Sequence, residues 1–170
     1  MLPKNVRDML HERRFQRYLN IDDHFSMKDR IVFYRPTIES IFMEAKLDPF
    51  WGLGMAMQES LFRSTRPALT GGDGERGGSY GLLMVSALTA ESMGFKGQPI
   101  DLCIPETGVL WATKVILRNM HDYNITDFRD VLACYNSGKR FTDAPQLTRS
   151  VYVPKALQYA SQFRSGKSFA

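Results

Sequence analysis

Glu59 has the sequence neighbourhood that best suits acid–base chemistry. On a helix its same-face neighbours, three and four positions away, are Met55, Ala56, Phe62 and Arg63, three of them apolar. A carboxyl held against such a surface is partly desolvated, which disfavours its charged form and raises its pKa. That is the condition for a general acid near neutral pH. The competing expectation is a surface glutamate at a helix end, paired with Arg63, and structural carboxylates outnumber catalytic ones. A second feature is the run Gly78-Ser79-Tyr80-Gly81-Leu82-Leu83-Met84-Val85. Its glycines allow a tight turn and a close approach of backbone to ligand, where N–H and C=O groups can bond an amide such as that of an N-acetyl sugar. The alternative there is a plain turn ahead of a buried apolar run. In Ala133-Cys134-Tyr135-Asn136-Ser137-Gly138, Asn136 and Gly138 are suited to ending a helix, and Tyr135 offers a ring and a hydroxyl. Val151-Tyr152-Val153-Pro154 opens the last helix. Each of these two stretches is more often structural than functional.

Other chemistries find little support. Cys103 and Cys134 stand alone, without a CxxC pair or a nearby histidine, and are expected as buried reduced thiols. His11, His24 and His121 are scattered, so neither a metal site nor a nucleophile–base pair is expected, and no cofactor is implied. The net charge of +4 favours anionic partners only mildly. A nucleic-acid binder would rest on the basic N-terminal stretch alone, without a recognisable binding motif, and is not expected.

The elements that must position these residues are almost all helical. With 170 residues, 44% hydrophobic and 24% charged, the chain suits one globular domain with a sizeable core. No apolar run is long enough to cross a bilayer. The opening from Met1 to Arg14 scatters charge where a secretory signal needs an unbroken apolar stretch, so no signal peptide is expected in it. A basic helix is expected from about Pro3 to Leu19, and a second opening near Pro36 with Ile38, Ile41, Phe42 and Ala45 at helical spacing. Asp48 should cap a third, with Pro49 just inside, running to about Phe62. Thr70 to Ser79 is too rich in glycine for regular structure, beyond a turn or small hairpin. Helical patterns resume over Ala87–Met93, Pro105–His121, Asp127–Asn136 and Ser150–Phe163. The expected architecture is mainly α, a single-domain helical fold with a loop-bearing cleft.

Taken in order, Glu59-Ser60, Gly78 to Met84, Cys134 to Gly138 and Tyr152-Val153-Pro154-Lys155 resemble the soluble lytic transglycosylase family and its relative, goose-type lysozyme. That family's pattern runs Glu-Ser, Gly-Ala-x-Gly-Leu-Met-Gln, Ala-Tyr-Asn-Ala-Gly and Tyr-Val-x-Lys. One such motif is weak, but four in register are strong. The likeness spans roughly Pro36 to Ala160 and includes Leu47-Asp48-Pro49, Thr89-Ala90, Met93-Gly94, Asp101-Leu102 and Pro105-Glu106.

The resemblance implies a lysozyme-like helical fold with a glycan-binding cleft, acting on peptidoglycan strands. Glu59 would be the catalytic acid that cleaves the β-1,4 bond from N-acetylmuramic acid to N-acetylglucosamine. The implied product is a 1,6-anhydro sugar, the main alternative a goose-type hydrolase, and a silent wall-binding module the alternative of another class. Ser60, Ser79, Tyr80, Gly81, Met84, Tyr135, Asn136 and Tyr152 would bind substrate, Tyr152 by orienting the glutamate. Asp73 is the candidate second acid, because Gly72-Asp73 is similar to the goose-type pattern, and Glu75 lies in the same loop. The sequence departs from the family at Met84, where glutamine is usual, and at Cys134, where alanine is. The implied division is a catalytic domain over residues 28–170 and a basic extension over residues 1–27. That extension is a candidate contact for a phage virion or a cell-envelope partner. The implied place of action is the cell wall, reached from a virion or at lysis.

Overall fold

A computed structural model describes residues 4–69 and 75–169. The helices are α1 (Lys4–Leu10), α2 (Gln16–His24), α3 (Met27–Glu44), α4 (Pro49–Ser60), α5 (Ala87–Ser92), α6 (Pro105–Tyr123), α7 (Phe128–Ser137) and α8 (Val153–Arg164). Strands β1 (Ser79–Tyr80) and β2 (Val85–Ser86) pair antiparallel, with Ser79 opposite Ser86 and Tyr80 opposite Val85. Short 3₁₀ turns cover Pro99–Cys103 and Phe141–Asp143, and a π turn covers Thr148–Tyr152. The chain is thus one mainly α-helical domain with a very small sheet.

Helix α4 is the axis of the packing. Asp48 caps it by accepting the Phe50 N–H at 2.9 Å, and Pro49 occupies the first turn, where no N–H is needed. Residues 52–57 are all buried. A helix apolar on every side belongs inside, and α4 lies between α3 and α8. Gly54 makes the α8 crossing close: a Cβ there would sit 2.8 Å from the Ala156 carbonyl oxygen and from Ala160. The core continues as a single cluster through Ile38, Phe42, Leu53, Leu82, Leu102, Ile116 and Leu132. Each such side chain adds about 1.5–3 kcal/mol on full burial.

Two expected helices differ in extent. The expected second helix begins nine residues before Pro36, at Met27, where Ser26 caps it by accepting the Asp29 N–H at 3.2 Å. Pro36 lies inside α3, but on its exposed side. The carbonyl left without a donor there can turn to water, which is why a proline that usually breaks a helix is tolerated. The expected N-terminal helix is two, split at residues 11–15, and its Pro3 start lies outside the described residues. The split lets Val6, Leu10, Phe15 and Ile21 all enter the common core while Arg7, Arg13, Arg14 and Arg17 stay exposed. Asp22 fixes this segment to the chain beyond α4: it accepts the Thr65 N–H and hydroxyl, both at 2.7 Å, and the Tyr34 hydroxyl at 2.9 Å. No helix among the described residues is long and apolar enough to cross a membrane.

Candidate active site

Glu59 occupies the last turn of α4, where the chain leaves the helix through two left-handed residues, Leu61 (φ 53°) and Phe62 (φ 56°). Neither is glycine, so each costs of order 1–3 kcal/mol and must be held by its surroundings. Phe62 is wholly buried, and the Leu61 carbonyl accepts Arg30 Nε at 3.3 Å. The Ser60 hydroxyl donates to the Leu82 carbonyl at 2.8 Å, which ties the helix end to the turn between β1 and β2. Met84 in that turn is left-handed as well (φ 49°). Strained backbone therefore collects around Glu59, as it does at functional sites.

The turn is anchored from two further sides. The Tyr80 hydroxyl donates to the Glu75 carbonyl at 2.6 Å, and that of Tyr135 on α7 donates to the Leu83 carbonyl at 2.8 Å. Gly81 has φ 80°, and a Cβ there would lie 2.2 Å from the Leu102 carbonyl oxygen, so only glycine fits. Opposite, Pro154 has no N–H for the Ser150 carbonyl, and the ladder slips to a π turn in which Val153 N–H bonds to Thr148. That turn carries Tyr152, whose hydroxyl donates to Glu59 Oε1.

Glu59, Ser79, Met84, Tyr135 and Asn136 line a cleft of about 520 Å³. This size suits an organic ligand rather than an ion or a single water. Ser60, Tyr80, Gly81 and Tyr152 do not line it. Their hydroxyls or backbone are engaged within the wall, so their place is behind the surface, holding the residues that form it. Asp73 lies outside the described residues. Met84 is half-buried in the cleft wall rather than in the core.

Burial pushes the Glu59 carboxyl up to about 7, against which the Tyr152 hydroxyl pulls it down by stabilising the charged form. Burial is thus the main cause. Among the described residues Glu59 forms no ion pair, and the pairing with Arg63 open to the sequence is not made. Burial, and then the nearby Glu59 charge, hold the hydroxyls of Tyr135 and Tyr152 well above the ordinary tyrosine value, so both remain proton donors. Asn136 Oδ1 accepts the Thr148 hydroxyl at 2.8 Å, which leaves its amide nitrogen free to donate.

The far wall was not foreseen from the sequence. The last turns of α6 contribute Arg118, Asn119, Asp122 and Tyr123, while Ser86 comes from β2 and Thr89 from α5. A signal did exist: Val115, Arg118, Asn119 and Asp122 fall on one helical face, where a polar stripe follows an apolar one. Cys103 and Cys134 are free and buried, and burial raises Cys103 to about 12. Among the described residues no three His, Cys, Asp or Glu side chains come together as a metal site.

What these parts define is a helical protein with a desolvated, proton-holding carboxyl at a polar cleft. Comparison with protein-family models, curated proteins and solved structures found no match.

Proposed function

We propose that this protein is a peptidoglycan lytic transglycosylase of lysozyme-like fold that cuts the bond between N-acetylmuramic acid and N-acetylglucosamine. The observation that carries this reading is Glu59, protonated near neutral pH by burial and open to a cleft of sugar-segment size. The four motifs in register supply the reaction and the glycan.

Glu59 gives its proton to the glycosidic oxygen as the bond to the muramic C1 breaks. The carboxylate so formed is met by the Tyr152 hydroxyl, a bond that strengthens as charge develops and so favours the transition state over the ground state. The substrate's own N-acetyl carbonyl stabilises the cationic sugar. Glu59 then takes the proton of the 6-hydroxyl while its oxygen closes on C1, so a 1,6-anhydro ring forms and no water is consumed. Asn136 and Ser79 supply hydrogen bonds along the strand. Delivery to the wall, from a virion or at lysis, is part of the same proposal, with residues 1–27 as the contact to an envelope or virion partner.

A hydrolase of goose-type lysozyme kind is the second reading. It needs another carboxylate across the cleft to direct a water. Among the described residues the cleft offers Asp122, and Asp73 belongs to the glycine-rich loop. Glu59→Gln tests the shared step. The variant should stop lysis of purified cell walls, a loss of at least about a hundredfold for a general acid, with helix content and thermal midpoint at or above those of the wild type. Substantial lysis by a folded Glu59→Gln protein would remove Glu59 from the chemistry.

A further inference from the structure

Arg118 is the fixed positive charge of the cleft. It is partly buried, lines the same cavity as Glu59, and among the described residues makes no ion pair within 4.0 Å. Asp122, four residues on and also in the lining, is engaged instead by His121 Nδ1 at 3.0 Å. The neighbouring Asn119 is only 6% exposed, yet it too reaches the cleft wall. Asn136, across from them, has its amide oxygen occupied by Thr148 and its nitrogen free. Among the described residues of this lining Arg118 is the one cation, with the Asn136 amide nitrogen free to donate and the Asp122 carboxylate on the same helix face.

A neutral sugar does not call for this arrangement. Hydroxyl and acetamido groups are served by amides and backbone, and a guanidinium in a cleft wall that meets no acid has its donors free for a ligand. Its planar fork matches one acceptor above others, a carboxylate, which it binds through two parallel hydrogen bonds. Along a wall glycan the two sugars differ in this respect. N-acetylglucosamine bears no acid, whereas muramic acid bears a lactyl arm that ends in a carboxylate, or in a peptide with carboxylates of its own.

We propose that Arg118 is a specificity-determining residue that reads a carboxylate on the muramyl arm of the strand and so distinguishes wall glycan from uncharged chitin-like glycan. This rests on the glycan reading of the cleft and deepens it. The same chemistry is available from the free lactyl carboxylate and from the stem peptide.

Binding of three probes of equal length to the intact protein separates these cases: a chitooligosaccharide, a peptide-free muramyl glycan, and the same glycan carrying its stems. Wild-type protein should bind at least one muramyl probe roughly tenfold or more tightly than the chitooligosaccharide, the factor expected of a charge-assisted hydrogen-bond pair. A gap already present with the peptide-free glycan assigns the lactyl carboxylate, and a gap seen only with stems assigns the peptide. Arg118→Gln should close the gap by weakening the muramyl probes more than the chitooligosaccharide, and Arg118→Lys should restore part of it. Arg13→Gln, at an exposed position, should leave the gap intact, which separates Arg118 from the general positive charge. Equal wild-type affinity for all three probes, or a gap that survives in folded Arg118→Gln, overturns the proposal. Carboxylate-dependent binding without any cleavage would uphold Arg118 as the reader and overturn the enzymatic reading alone.

Discussion

Two carboxylates line one cleft and live in opposite surroundings. Glu59 ends a helix that is buried on every side, accepts a tyrosine hydroxyl, and is pushed up to about 7. Asp122 lies near the end of α6, its side chain 54% exposed and paired with a histidine on the surface. The same functional group is enclosed in one place and open to water in the other. What separates them is packing. Gly54 brings α8 against α4, the α8 junction presents Tyr152, and the left-handed exit at Leu61 and Phe62 closes the apolar side. Among the described residues nothing comparable encloses Asp122, whose side chain is 54% exposed.

The largest test of this contrast is the loss of lysis in Glu59→Gln, against Asp122→Asn, which should retain activity within about twofold because an exposed, screened carboxylate contributes little. Inactive Asp122→Asn would mark it as the water-directing base and shift the product to a hydrolytic one. Asp73→Asn should likewise keep most activity.

A second test uses stability. The folded-state pKa of Glu59 is raised, from 4.5 to about 7, so its neutral form is the one the fold favours. Below pH 4.5 that carboxyl is protonated in both states and carries no penalty. As pH rises towards 7 the unfolded chain releases the proton first, and wild-type stability falls until both states are ionised. Glu59→Gln escapes this loss. Its stability should therefore draw ahead of the wild type between pH 4.5 and 7 and stay ahead above it, by up to about 3 kcal/mol at 1.36 kcal/mol per unit, with the thermal midpoint following. Midpoints that run parallel across that range would show Glu59 to be an ordinary carboxylate.

The smaller effect belongs to Tyr152→Phe. Its hydroxyl favours the charged glutamate, so removing it should lower the rate about tenfold, the worth of one charge-assisted hydrogen bond. The alkaline fall in activity should move to higher pH, because the remaining burial raises Glu59 further. A rate loss with an unmoved pH profile would make Tyr152 a packing residue only.

Local rules read well where local chemistry decides. Asp48 with Pro49 marks a helix start that the structure reproduces through a side-chain cap at 2.9 Å. They misjudged Pro36, because exposure, which no local pattern carries, decides whether a helix tolerates proline. The spacing marked Met55, Ala56 and Phe62 as one apolar face, and all three are buried, although Phe62 lies beyond the helix end rather than along it. The Tyr152 contact spans 93 residues and has no trace in periodicity; the motif order alone suggested it. The hydroxyl of Ser60 and the backbone of Gly81 are spent on the wall behind the cleft because the ribbon folds back onto α4 and Leu102, a tertiary event. Arg118 went unread for the complementary reason: a polar residue on a long amphipathic helix usually faces solvent, and only the tertiary fold turns this one towards Glu59.

Mass analysis of the fragments released from purified peptidoglycan tests the central claim most directly. Wild-type protein should release muropeptides ending in 1,6-anhydro-N-acetylmuramic acid, lighter by one water than hydrolytic products, and Glu59→Gln should release none. Fragments with reducing ends would make the protein a hydrolase. Absence of glycan fragments from folded wild-type protein would contradict the account altogether.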